Sequence, residues 1–239
     1  MRVVISIGGS VLAPDLDPDR IEAHATVIES LSREGCDLGA VVGGGGVARE
    51  YIGAARDLGA NEVQLDQIGI DVTRINARML IAALGSGVDP TPPHDYEDAG
   101  DAIRRGDVAV MGGVTPGQTT DAVAAALAEY VNADLLVYAT SANGVYDADP
   151  KTDPDATKFE ELSASELVDV IAPMSRDAGA SAPVDLLAAK LIERSGMRSI
   201  VLDGTDPARI ERAVLRGDHD GTDIVPEGSG EAPSYWAQR

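Results

Sequence analysis

Short runs such as Val3-Val4-Ile5-Ser6-Ile7, Ala40-Val41-Val42 and Leu135-Leu136-Val137-Tyr138 are almost wholly hydrophobic, and between them apolar positions recur every three or four residues. The runs predict strands buried on both faces, and the helical recurrence predicts helices laid over them. Their alternation predicts an α/β fold with a largely parallel sheet. Ile21, Ala25, Ile28 and Leu31 mark one helix, closed by Gly35 ahead of a strand over 38–42. Further helices are predicted over 47–58 and 62–84, the second ended by Gly85-Ser86-Gly87. Beyond the extended link Asp89-Pro90-Thr91-Pro92-Pro93 come a short helix ending near Arg105-Gly106 and a strand over 108–111. An alanine-rich helix opens at Thr120-Asp121, residue types suited to an N-cap. A strand over 135–138, turns at Asn143-Gly144 and Asp149-Pro150, helices over 165–171, 184–194 and 207–216, and a strand over 199–202 complete the pattern. From Pro226 the composition turns to Gly, Ser, Glu and Pro around the chain's one tryptophan, Trp236. That predicts a mobile tail over 227–239. The absence of a repeat or persuasive linker before it leaves one large domain or two closely packed lobes over 1–226.

Composition narrows the function. The 239 residues suffice for a substantial core, and no run reaches the roughly 18 apolar residues of a membrane span. The single cysteine, Cys36, rules out an internal disulfide and suits a reducing compartment, so a cytoplasmic protein without a membrane partner is expected, with Cys36 as packing filler. A formal net charge of −21 excludes nucleic acid as a partner, because phosphate backbones would be repelled across the surface. A nucleotide substrate stays allowed, provided positive potential is local. Lysine occurs only at Lys151, Lys158 and Lys190, every other basic residue being arginine. An acidic, lysine-poor globular chain points to a salt-rich, halophilic cytoplasm, where screening shortens self-repulsion.

Two predicted strands run into glycine, at Gly8-Gly9-Ser10 and at Gly43-Gly44-Gly45-Gly46. Glycine lets the backbone approach an anion closely, and a following helix N-terminus adds partial positive charge, so the pair points to polyphosphate chemistry. Neither turn continues into the Gly-Lys-Ser or Gly-Lys-Thr of a Walker loop, and no Gly-x-Ser-x-Gly nucleophile turn exists. His24, His94 and His219 lack metal-ligand spacing and read as surface or helix-face residues. Lys190 reads as an exposed helix residue and Lys151 as a turn residue.

Ile7-Gly8-Gly9-Ser10, Val42-Gly43-Gly44-Gly45, Gly117-Gln118-Thr119-Thr120-Asp121-Ala122 and Thr140-Ser141-Ala142-Asn143-Gly144-Val145-Tyr146-Asp147-Ala148-Asp149-Pro150 occur in an order that resembles the amino acid kinase family. The segments Asp66-Gln67-Ile68-Gly69-Ile70, Thr73-Arg74-Ile75-Asn76-Ala77, Met111-Gly112-Gly113 and Gly217-Asp218-His219-Asp220-Gly221-Thr222 are most similar to its archaeal branch acting on UMP. The likeness runs from Met1 to about Pro226. It implies a three-layer αβα sandwich with a largely parallel central sheet, the carbamate kinase-like fold, as a single domain over 1–226 with the acceptor side in its N-terminal part and the ATP side in its C-terminal part. It further implies direct transfer of the γ-phosphoryl group of ATP to UMP in pyrimidine nucleotide synthesis, with Mg²⁺ on the ATP phosphates and no metal site made by protein ligands alone. A homohexamer is implied as well.

Carried onto this chain, the resemblance assigns Gly8, Gly9, Ser10, Gly45, Arg49, Thr140, Ser141, Tyr146 and Asp149 to ATP. It assigns Gly44, Asp66 and the loop Val114, Thr115, Pro116, Gly117, Gln118, Thr119 and Thr120 to UMP, with Asp66 on the ribose. Asp121 is the implied organiser of the catalytic charges. One position departs from the pattern: many family members carry lysine where this chain has Ser6, and a hydroxyl cannot neutralise charge. Arg49 and Mg²⁺ are expected to compensate, with Arg74 or Arg78 as helpers. Two other readings stay open. One is a kinase of the same family acting on carbamate, an acyl carboxylate or a small phosphate such as isopentenyl phosphate; the other is a catalytically silent nucleotide-binding protein of storage or regulation.

Overall fold

The computed structural model describes residues 1–150, 152–174, 183–227 and 236. Among them, β1 (Arg2–Ile7), β2 (Asp37–Val42), β3 (Ala109–Met111), β4 (Leu135–Thr140), β5 (Glu161–Ser163), β6 (Ser199–Asp203) and β7 (Thr222–Val225) build one sheet of order β3-β2-β1-β4-β6-β7-β5. All pairings are parallel except β6 with β7. The register is set at the centre, where Ile5 of β1 lies between Ala40 of β2 and Val137 of β4, all three buried. β5 and β7 were not expected from the sequence. Each offers one buried aliphatic side chain, Leu162 and Ile224, which is too little to register as an apolar run.

The helices are α1 (Gly9–Leu12), α2 (Pro18–Arg33), α3 (Gly45–Asp57), α4 (Glu62–Ala83), α5 (Tyr96–Arg104), α6 (Thr120–Tyr130), α7 (Ala164–Met174), α8 (Leu186–Ser195) and α9 (Pro207–Arg216), with a 3₁₀ turn over Pro14–Leu16. Alternation along β1 splits the core in two. Val3, Ile5 and Ile7 join residues of α2, α4 and α9 on one face, while Val4 joins residues of α5, α6, α7 and α8 on the other. Helices on both faces of a largely parallel sheet make the three-layer αβα sandwich. Each fully buried aliphatic side chain contributes about 1.5–3 kcal/mol to that arrangement.

Several local features differ from the sequence reading. The second glycine turn enters its helix at Gly45, two residues earlier than predicted. The cap of α6 is Thr119, whose side chain accepts from the Ala122 amide, so Thr120 and Asp121 sit inside the first turn. His24 faces inward from α2, buried, with Nδ1 2.9 Å from the Arg20 carbonyl oxygen. α3 buries only Ala48 and leaves Tyr51 exposed, and Leu58, Val63 and Ile75 are exposed as well. Among the described residues no helix is long and apolar enough to cross a membrane. Of the predicted tail, Glu227 and Trp236 are described; Trp236 Nε1 donates to the Val214 carbonyl at 3.1 Å and its ring stacks on Arg198. The rest of that tail, and Lys151, lie outside the described residues.

Candidate active site

The carboxyl ends of β1, β2 and β4 open into a cleft of about 720 Å³, the place and size of a ligand site in an open α/β sheet. Two turns form part of its wall. After β1 the chain passes through Gly8 into α1, and after β2 through Gly43 and Gly44 into α3. These turns touch through bare backbone: a Cβ on Gly9 would fall 2.2 Å from the Gly45 nitrogen and 2.5 Å from the Gly43 oxygen. Gly45 also sits at φ +65°, a conformation side-chain-bearing residues rarely adopt. Gly44 caps α3 without a side-chain bond, so the amides of its first turn and the positive end of its dipole remain for an anion.

The long helix α4 fixes the second turn and the loop after β3 together. Asn76 donates from Nδ2 to the Gly43 carbonyl at 2.8 Å, Thr73 accepts the Gly113 amide at 2.7 Å, and Asp66 accepts the Gly117 amide at 2.8 Å. Spacings of seven and three residues place these side chains on one helix face. Thr73 and Asn76 are buried. The sequence reading assigned them no role, although polar residues on an otherwise apolar helix face were the available signal.

Asp121 lies at the head of α6, half-buried with one side toward the cleft. Its Oδ1 accepts the Ser6 hydroxyl at 3.1 Å, and its backbone carbonyl accepts the Tyr138 hydroxyl at 3.2 Å. Ser6 therefore takes up the carboxylate directly. Burial, and next the negative charge of Asp185, push the Asp121 carboxyl from its ordinary 3.8 up to about 7, while the Ser6 bond opposes them. Tyr138, buried beside it, is raised well above 10.

All nine residues expected at ATP line the cleft: Gly8, Gly9, Ser10, Gly45, Arg49, Thr140, Ser141, Tyr146 and Asp149. Gly44 and Thr120 of the acceptor set line it as well. Asp66 and the loop Val114, Thr115, Pro116, Gly117, Gln118 and Thr119 do not; of that loop, the Gly117 amide is held by Asp66 of α4 and Gln118 Oε1 accepts the Tyr96 hydroxyl at 3.3 Å. Of the expected helpers, Arg74 is engaged elsewhere. Arg74 points away from the face that holds Thr73 and Asn76 and gives its guanidinium to the Pro92 and Pro93 carbonyls at 2.8 Å each, and Arg78 does not line the cleft either. Lys190 is exposed and pairs with Glu193 at 2.9 Å.

A wall of backbone amides beside Arg49, set at the carboxyl ends of parallel strands, defines an α/β phosphotransferase. The amino acid kinase family model matches residues 1–203, and the chain belongs to that family. It is 72% identical to the uridylate kinase of Haloquadratum walsbyi over 236 residues, covering 99% of this chain and 98% of that protein. It is 70% identical to the uridylate kinase of Halorubrum lacusprofundi over the same length and coverage. The crystal structure of uridylate kinase from Archaeoglobus fulgidus superposes with a TM-score of 0.85 at 44% identity, covering 94% of this chain and 100% of that one.

Proposed function

We propose that this protein is a UMP kinase, transferring the γ-phosphoryl group of ATP to UMP and releasing UDP and ADP within pyrimidine nucleotide synthesis. The observation that carries this is the backbone-to-backbone meeting of the two glycine turns, which supports two phosphate groups side by side. Gly8, Gly9, Ser10 and Gly45 serve ATP, and Gly44 faces the acceptor phosphate. A UMP phosphate oxygen attacks the γ-phosphorus; the new P–O bond forms as the bond to the β–γ bridging oxygen breaks, and ADP leaves. The attacking phosphate is already a dianion near neutral pH, so no base is required. Asp121 instead orients positive charge around the transferring group, and Asp66 with the 114–120 loop holds the nucleoside end of UMP. Residues 1–226 act as one domain in this reading, acceptor side first and ATP side second.

Asp121, Asp147 and Asp149 line the cleft, against Arg49 as the one cationic side chain among the described lining residues. A triphosphate entering such a cleft needs a further cation, and hard oxygen donors suit Mg²⁺. Among the described residues no three His, Cys, Asp or Glu side chains gather as a ligand set. The ATP phosphates themselves would hold the ion, with the Ser10 hydroxyl on the same wall. When bound it supplies the charge neutralisation that a lysine at Ser6 would share. Arg49→Ala is expected to lower kcat about 100-fold at saturating ATP, UMP and Mg²⁺. Unchanged turnover in a steady-state assay would remove Arg49 from the mechanism.

We read the exposed Tyr51, Leu58, Val63 and Ile75 as covered by other copies in a homohexamer, and the acidic surface as suited to a salt-rich cytoplasm. A coupled assay with ATP, Mg²⁺ and molar KCl, offering UMP, CMP, AMP and isopentenyl phosphate in turn, tests the function. UDP formation confined to UMP is the expected result. Product from another acceptor only, or ATP binding with no product, overturns it.

A further inference from the structure

The sequence motifs pass over Asp185, yet the structure gives both of its carboxylate oxygens a partner. Oδ1 accepts the Ala188 amide at 2.9 Å and so caps α8. Oδ2 accepts the hydroxyl of Thr119, the residue that caps α6. The two helix caps are thus bonded to each other, and Asp121 stands two residues into the helix held in this way. Asp185 also places a second negative charge near Asp121.

We propose that Asp185 is a positioning residue for Asp121, joining the heads of α6 and α8 so that the Asp121 carboxylate is held at the cleft floor beside a fixed like charge. The proposal rests on Asp121 serving phosphoryl transfer as argued above. Asp121 is faced by Ser6 from β1, by Tyr138 from β4 and by Asp185 from the head of α8; Arg49, Asp147 and Asp149 line the same cleft. Geometry and charge separate by substitution. In Asp185→Asn the amide oxygen can still cap α8 and the NH₂ can donate to Thr119, so the link persists while the charge is gone. Asp185→Ala removes both.

The test is the pH profile of kcat at saturating ATP, UMP and Mg²⁺, together with urea unfolding across the same pH range. Asp185→Ala is expected to lose about 10- to 100-fold in kcat, with both KM values within about threefold, because a small misplacement at the reacting centre is costly. Asp185→Asn is expected to keep kcat at its optimum within about threefold while its acid limb moves to lower pH, since removing the like charge favours the Asp121 carboxylate. Ser6→Ala, which removes the opposing hydrogen bond, moves that limb to higher pH. The pH at which stability falls shifts in the same two directions, and this readout needs no turnover. An unmoved acid limb and unmoved stability profile in Asp185→Asn overturn the proposal even if Asp185→Ala fails to fold. A wild-type protein that does not phosphorylate UMP sinks the functional reading instead, and the unfolding profiles still decide the role of Asp185.

Discussion

Asp121→Asn is expected to lower kcat about 100-fold or more while making the ligand-free protein more stable above pH 7. The loss of rate follows from removing a charge from the place proposed to hold the transferring phosphoryl. The gain in stability follows from where that charge sits. Its carboxyl is pushed up to about 7 in the folded state against an ordinary 3.8, so the folded protein binds the proton more tightly than the unfolded chain. Stability therefore falls as pH rises from about 4 to about 7, and the loss is complete above that range. At about 1.36 kcal/mol per pH unit the full effect is bounded by about 4 kcal/mol, and cleft water on one side of Asp121 reduces it. Asparagine keeps an oxygen for the Ser6 hydroxyl and carries no charge. Its advantage should be absent below about pH 4, grow through the window and level off above 7. Urea unfolding of both proteins over that range checks this, and an asparagine variant less stable at pH 8 contradicts it.

Gly9→Ala should damage both folding and turnover. The added methyl would lie 2.2 Å from the Gly45 nitrogen and 2.5 Å from the Gly43 oxygen, all of it rigid backbone with no side chain free to swing aside. The two turns would have to part, and with them the amides proposed to bind phosphate. We expect kcat/KM for ATP to fall about 100-fold or more and stability to drop by about 1–3 kcal/mol. Gly53→Ala is the matched control. It lies on α3 with nothing within 4 Å of an added Cβ, and should be neutral or slightly stabilising. Equal damage from both substitutions, measured by thermal unfolding and initial rates, would show that the contact between the turns does not matter.

The central strands and most helices were legible because β1, β2 and β4 are nearly continuous apolar runs, and because α2 and α9 carry a strong one-sided pattern. β5 and β7 escaped notice because short strands with one buried aliphatic residue each leave no such run. At the site, the glycine turns and Asp121 could be read from residue type and order. The partner of Ser6 could not, since it lies 115 positions away and only the sheet brings α6 over β1. Asp185 and Asn76 were hidden for the same reason. Arg74 misled because charge alone says nothing about the direction a helix residue points.

Asp66 and Asn76 are ten residues apart on α4, which at about 1.5 Å per residue sets their helix positions roughly 15 Å apart. One grips the loop at Gly117 and the other the turn at Gly43. A helix barely stretches, so α4 works as a gauge block: in the proposed UMP-binding role, an acceptor that engages both ends must match its length. Molecules such as carbamate are too short to reach from one end to the other, whatever their charge.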